Sequence, residues 1–83
     1  MPNHKEVRTV KDIGKAVAAT RIANGIRANE LSASHVFVGD LEKGKETVQL
    51  GKVLQVLADL GIRVILDLPS DVDTETKRKR ASK

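Results

Sequence analysis

The side chains best equipped for reaction chemistry are two histidines, His4 and His35, and two neighbouring acids, Asp40 and Glu42. They do not assemble into a catalytic pattern. The histidines are far apart, and neither has acids around it at metal-ligand spacing. On a helix, residues two apart point to different faces, so Asp40 and Glu42 do not share an acid–base site. Cysteine is absent, which excludes disulfides, thiolate metal sites and thiol nucleophiles together. There is no nucleophile–base pairing and no Gly-rich phosphate loop. The expectation is a protein without catalysis, metal or cofactor.

Positive charge is the remaining chemical resource. The chain carries 15 Lys and Arg against 11 Asp and Glu, a net charge of +4. Residues 70–83 hold five of these cations and three of the acids, and residues 1–69 hold ten and eight. The body is therefore only mildly basic, and charge alone is a weak case for nucleic acid. Phe37 is the only aromatic residue, which argues against RNA-binding sheets and oligonucleotide-binding barrels, since both stack bases on aromatic rings. No apolar run approaches the roughly 20 residues that span a bilayer. The N-terminus is too polar for a signal peptide, so a cytoplasmic protein without membrane contact is expected.

The elements that must position these residues follow from local pattern. At 83 residues the chain makes one small domain, with a core that is marginal unless reinforced. Residues 1–8 show no periodicity and read as a loose arm. Thr9 and Asp12 resemble a capping box. Val10, Ile13 and Val17 then share a helical face, and Asn24-Gly25 is a strong stop. Residues 26–42 offer Ile26, Leu31, Val36, Phe37, Val38 and Leu41 as candidate core residues. Ser32 or Ser34 could cap a short helix running to Leu41 or Lys43, which Gly44 ends. The clearest helix is 48–60, where Leu50, Val53, Leu54, Leu57 and Leu60 recur at helical spacing between a cap at Thr47 and a stop at Gly61. Ile62, Val64, Leu66 and Leu68 then alternate with Arg63, Ile65 and Asp67, the period of a strand ended by Pro69. Residues 70–83 are polar and read as a disordered basic tail, leaving 9–69 as the folded domain.

One strand on a helical body cannot pair its own backbone groups. The economical partner is the same strand of a second copy, antiparallel about a two-fold axis. Residues 62–68, through Ile62, Val64, Leu66 and Leu68, are thus expected to form a homodimer strand.

From Val36 onward the order of features becomes specific. Leu41-Glu42, the basic turn Lys43-Gly44-Lys45, the amphipathic helix 48–60 and its Leu60-Gly61 end follow one another, preceded by Ile13-Gly14, Arg21 and Asn24-Gly25-Ile26. This arrangement resembles the Cro/repressor (Xre-type) helix-turn-helix family over about residues 12–66. The resemblance implies a mainly α domain of four to five helices, with the C-terminal strand added and paired across a dimer. It implies that Arg21 and Glu42 form an ion pair holding the first helix to the recognition helix. Ser34, His35 and Gly39 would meet base edges in the major groove. Lys43 and Lys45 would contact phosphates beyond the helix end, and Arg27 and Asn29 would reach the backbone on the other flank. The family usually has about four more residues between the positions of Gly25 and Leu41. Here the second helix is a single turn or merges with the third.

A helix-turn-helix domain followed by a dimerising strand and a polar tail is similar to HipB-type antitoxins. That similarity implies a dimer that represses its own operon on double-stranded operator DNA and holds a HipA-type serine/threonine kinase toxin inactive. The alternative is an interaction and dimerisation module whose shortened helix pair no longer reads DNA. The run Lys77-Arg78-Lys79-Arg80 is a phosphate-binding arm, a degradation-prone terminus or a solubilising end.

Overall fold

A computed structural model of the chain describes residues 3–72. Within them lie three α-helices and one 3₁₀ turn: α1 is Val10–Ala23, the turn is Ala28–Glu30, α2 is His35–Glu42 and α3 is Leu50–Asp59. The expected four to five helices are therefore corrected to three and a turn among the described residues. The shortened stretch after Gly25 is the reason, since it has room for one turn before Ser34 begins the next helix. The expected strand is not formed either. Residues 62–68 make no backbone ladder with any described part of the chain, and a strand exists only where another strand pairs with it. The run Lys77-Arg78-Lys79-Arg80 and most of the expected tail lie outside the described residues.

Each helix starts and stops for a local reason. Thr9 caps α1 by accepting from Asp12 N at 3.2 Å, and Asp12 Oδ2 accepts from Thr9 N at 3.0 Å and Arg8 N at 2.8 Å. These backbone donors hold the Asp12 carboxyl below its ordinary pKa. Ser34 caps α2 by accepting from Phe37 N at 3.1 Å. At the other ends one device recurs three times. Gly25, Gly44 and Gly61 have φ of 65°, 86° and 73°, and the residue after each donates back across the last turn, as in Lys45 N to Asp40 O at 3.0 Å. This is the Schellman closure, which satisfies carbonyls the helix itself leaves unpaired. Only a residue without a Cβ takes those left-handed angles freely.

The start of α3 differs from expectation. Thr47 is not its cap; Gln49 occupies that position without a side-chain bond, and the helix begins at Leu50. Residues 45–48 close a turn of their own, with Val48 N donating to Lys45 O at 3.4 Å. Gly51 consequently falls in the first turn of α3.

The core consists of Val17 from α1, Val38 and Leu41 from α2, and Val53, Val56 and Leu57 from α3. Val10, Ile13, Leu31, Phe37, Val48, Leu60 and Ile62 pack around it. Two apolar groups depart from the expected pattern. Leu50 and Leu54 lie outward at 66% and 45% exposure, and Val36 is 61% exposed instead of joining the core. The inner face of α3 is set by Val53, Val56 and Leu57, which leaves Leu50 and Leu54 on a second apolar stripe.

The backbones of α1 and α2 approach closely at Gly14 of α1. A Cβ there would overlap the Leu41 carbonyl oxygen and come 2.9 Å from Glu42 Cα. The neighbour is backbone, which cannot swing aside. Gly14→Ala should therefore lower stability by about 1–3 kcal/mol, the range for overpacking a fixed contact. Gly39→Ala faces open space and should instead raise stability by up to ~1 kcal/mol. Urea melts of the two variants beside the wild type check both signs.

Candidate nucleic-acid interface

Eight residues give α2 two clear sides. Val38 and Leu41 are buried and Phe37 is half-buried. At 3.6 residues per turn, the opposite side carries Val36, Gly39 and Lys43 in one row, with His35 and Asp40 flanking it. His35, Val36 and Lys43 are exposed, and a Cβ on Gly39 would meet nothing within 4 Å. The row thus presents a valine, a gap and a lysine.

Two attachments fix this helix. At its C-terminal end, Arg21 Nε and Nη2 donate to Glu42 Oε2 and Oε1 at 2.8 and 3.0 Å, and Arg21 Nη1 donates to Ile26 O at 3.2 Å. The two side chains are only 20% and 17% exposed. The hydrogen bonds to Glu42 push the Arg21 pKa up. One guanidinium thereby joins the last turn of α1, the chain leaving it and the end of α2. The parallel two-bond geometry is the strong form of such a pair.

At its N-terminal end, the loop into α2 is tied to α3. Ser32 N and Oγ donate to Asp59 Oδ2 at 2.9 and 2.6 Å, and Gln55 Nε2 donates to Asp59 Oδ1 at 3.2 Å. The Ser32 bonds, chiefly that of its hydroxyl, hold the Asp59 carboxyl below its ordinary pKa. Glu30 accepts from Arg27 N at 2.7 Å and closes the 3₁₀ turn. A shallow open hollow between this turn and α3 is lined by Ile26, Glu30, Leu31, Ser32 and Asp59. Its two acids make it the wrong side of the molecule for phosphate.

The residues expected at a DNA surface fall into distinct places. His35, Gly39 and Lys43 share the outer side of α2. Ser34 is engaged as the α2 cap, so its oxygen already has a partner. Lys45 is exposed just past Gly44, with its ammonium 3.5 Å from Asp40 Oδ2. Arg27 and Asn29 are exposed at the 3₁₀ turn. Two residues were absent from the expectation. Val36 sits at the centre of the outer row, and Lys52 lies over the Phe37 ring at 5.9 Å from its centroid. A hydrophobic residue two past a cap, followed at i+2 and i+5 by the true core residues, is the signal that could have placed Val36 outward. Nothing in local sequence announces Lys52, whose position depends on how α3 crosses α2.

Among the described residues, no group of three acids or histidines could hold a metal ion. No helix there is long and apolar enough to cross a membrane.

An uncharacterized HTH-type transcriptional regulator of Sinorhizobium fredii, y4mF, is 39% identical to this chain over 71 residues, covering 81% of the chain and 93% of that protein. The chain belongs to the HTH-type transcriptional regulators. No protein-family model and no solved structure matches it. In a helix-turn-helix unit the second helix is the one that enters the major groove, with its N-terminal residues toward base edges.

Two measurements test the attachments. Arg21→Met and Glu42→Gln should each cost about 1–3 kcal/mol, since each leaves a half-buried charged or polar partner unsatisfied. A double-mutant cycle should show that the double variant costs less than the sum. For Asp59, a lowered carboxyl pKa contributes stability that is present above the ordinary carboxylate range and lost as pH falls through the lowered value. Acid titration of stability should therefore be shallower in Asp59→Asn than in the wild type between about pH 5 and about pH 2.

Proposed function

We propose that this regulator is a dimeric operator-binding repressor of the Cro/repressor type and the antitoxin of a HipBA-type system. The single observation that carries DNA binding is the exposed outer row of α2, held rigidly from both ends in a chain that belongs to the HTH-type regulators. In this reading α2 enters the major groove. His35 and Gly39 lie at the base edges and the Ser34 cap lies beside them. Lys43 and Lys45 hold phosphates past the helix end, and Arg27 and Asn29 take backbone contacts on the other flank.

The dimer is supported by unsatisfied apolar surface. Val64, Ile65 and Leu66 are exposed at 55%, 59% and 75%, and they lie in the stretch that needs a strand partner. Pairing of Ile62, Val64, Leu66 and Leu68 with a second copy would cover them and give the small core its reinforcement. The outward stripe of Leu50 and Leu54 offers further surface for the same purpose. A dimer places two α2 helices for two half-sites, as operator symmetry requires. The kinase toxin follows from the similarity to HipB-type antitoxins alone, and the cytoplasmic location from the polar N-terminus and the lack of a long apolar run.

A second reading has its own observation. The outer row of α2 carries neither Arg nor Asn nor Gln, the side chains that most often read bases, and the turn before α2 has three helical residues. That favours an interaction module using the same dimer without DNA.

Lys43→Ala with Lys45→Ala separates the two. A repressor should lose affinity for duplex DNA from upstream of its own gene while sedimenting as the same dimer. Its salt slope, log K against log salt, should flatten by about 0.9 for each phosphate contact removed. Sedimentation of the unaltered protein as a monomer at high micromolar concentration would refute the dimer. Co-purification with a kinase-like product of the neighbouring gene tests the antitoxin assignment.

A further inference from the structure

The side chain at the centre of the outer row serves neither the core nor either attachment. Val36 is 61% exposed on the second residue of α2. A β-branched apolar residue is a poor choice there on local grounds, since it restricts its own rotamers in the helix and leaves apolar surface in water. One turn further on, Gly39 leaves empty space where any other residue would project a Cβ. Gly39 has no left-handed backbone angle to justify it, and it weakens the middle of a short helix. Both residues are locally unfavourable, both lie on the same line, and a cation, Lys43, ends that line. The row has no hydrogen-bonding side chain at its centre. In the major groove the apolar feature a base pair can offer to such a side chain is the thymine C5-methyl group.

We propose that Val36 reads sequence by packing against the C5-methyl of a thymine, and that Gly39 leaves the room in which the adjoining base edge approaches the helix backbone. The inference rests on the DNA-binding reading above and specifies its recognition chemistry. His35 flanks the valine on one side. Asp40, on the other, is drawn toward Lys45, which reduces its repulsion of the phosphates. Lys43 fixes the register that sets the valine over one base pair.

The test uses the full chain and a randomised duplex library. Bound duplexes are enriched, and in the enriched sequence each thymine is replaced singly by deoxyuridine, which removes only the methyl group. One thymine per half-site should show a loss of about fourfold for the wild type, the factor that burial of one methyl-sized group supplies. That loss should vanish in Val36→Ala, which should melt at or slightly above the wild-type temperature, because Val36 is outward and Ala is the better helix former. Val36→Thr, which keeps one methyl, should retain most of it. Enriched duplexes that bind equally well with uridine at every position overturn the inference and leave DNA binding standing. A uridine penalty that persists undiminished in Val36→Ala does the same. If no duplex is enriched, both this inference and the DNA-binding reading fail, and the exposed valine belongs to a protein contact.

Discussion

A helix of eight residues does not persist in water by itself, and α2 is that short. Its existence depends on being held against α1, and the hold is built at one place. Gly14 lets the two backbones meet at Leu41 and Glu42, and within that contact Arg21 reaches both carboxylate oxygens of Glu42. The two features lie at one contact: the absent Cβ lets the backbones approach, and the ion pair adds two directed bonds to the packing there. The Schellman closures at Gly25 and Gly44 supply the remaining geometry. Gly25 turns the chain so that Ile26 O accepts from Arg21, and Gly44 packs onto Lys11 at the start of α1, where a Cβ would come within 2.8 Å of the Lys11 Cβ.

That constraint explains how α2 holds its place with only a three-residue 3₁₀ turn before it. In a longer unit the preceding helix would buttress the loop. Here the loop is short, and the buttress is Asp59 at the far end of α3, accepting from Ser32 twice. A carboxylate at a helix C-terminus is poorly placed with respect to the helix dipole. The two Ser32 donors and Gln55 make the position tolerable. The orientation of α2 is therefore fixed at one end by an ion pair to α1 and at the other by a hydrogen-bonded acid on α3.

The parts of this arrangement that were legible in the sequence are those written in local chemistry. Thr9 and Asp12, Ser34, and the glycines at 25, 44 and 61 mark helix ends because caps and left-handed turns tolerate few residue types. The inner positions Val17, Val53 and Leu57 follow from periodicity, whereas Val38 and Leu41 stood among several apolar candidates in a short stretch. What periodicity could not settle was which apolar residues face inward when there are more of them than the core needs. Val36 lies two residues before the buried Val38 and Leu54 directly follows the buried Val53; both match an apolar pattern, yet both point outward. Eight residues of α2 fit more than one helical phase, and α3 is apolar on two sides. Gly14 was legible only as part of a motif, since its reason is a backbone contact with residues far along the chain. The Ser32–Asp59 bonds left no local trace at all.

The surplus of outward apolar residues includes single positions at Val7 and Ile22, and on three other parts of the chain its setting is informative. On α3 it comprises Leu50 and Leu54, and in residues 62–68 it comprises Val64, Ile65, Leu66 and Leu68, enough apolar area for the proposed second copy to cover. On α2 it is a single valine beside a gap, too small for a helix or sheet to dock on and shaped to admit the edge of something flat. The two kinds of surface also differ in their company. The larger patch continues from the core through Ile62, so covering it extends the core. The smaller one is separated from the core by the thickness of α2 and is bordered by His35, Lys43 and Lys45. Burial against a second copy of the chain suits the first and leaves cations stranded in the second. A polyanion with apolar methyl groups on its edges would satisfy both the valine and the lysines, which is why the proposed dimer and the proposed DNA contact are assigned to different surfaces.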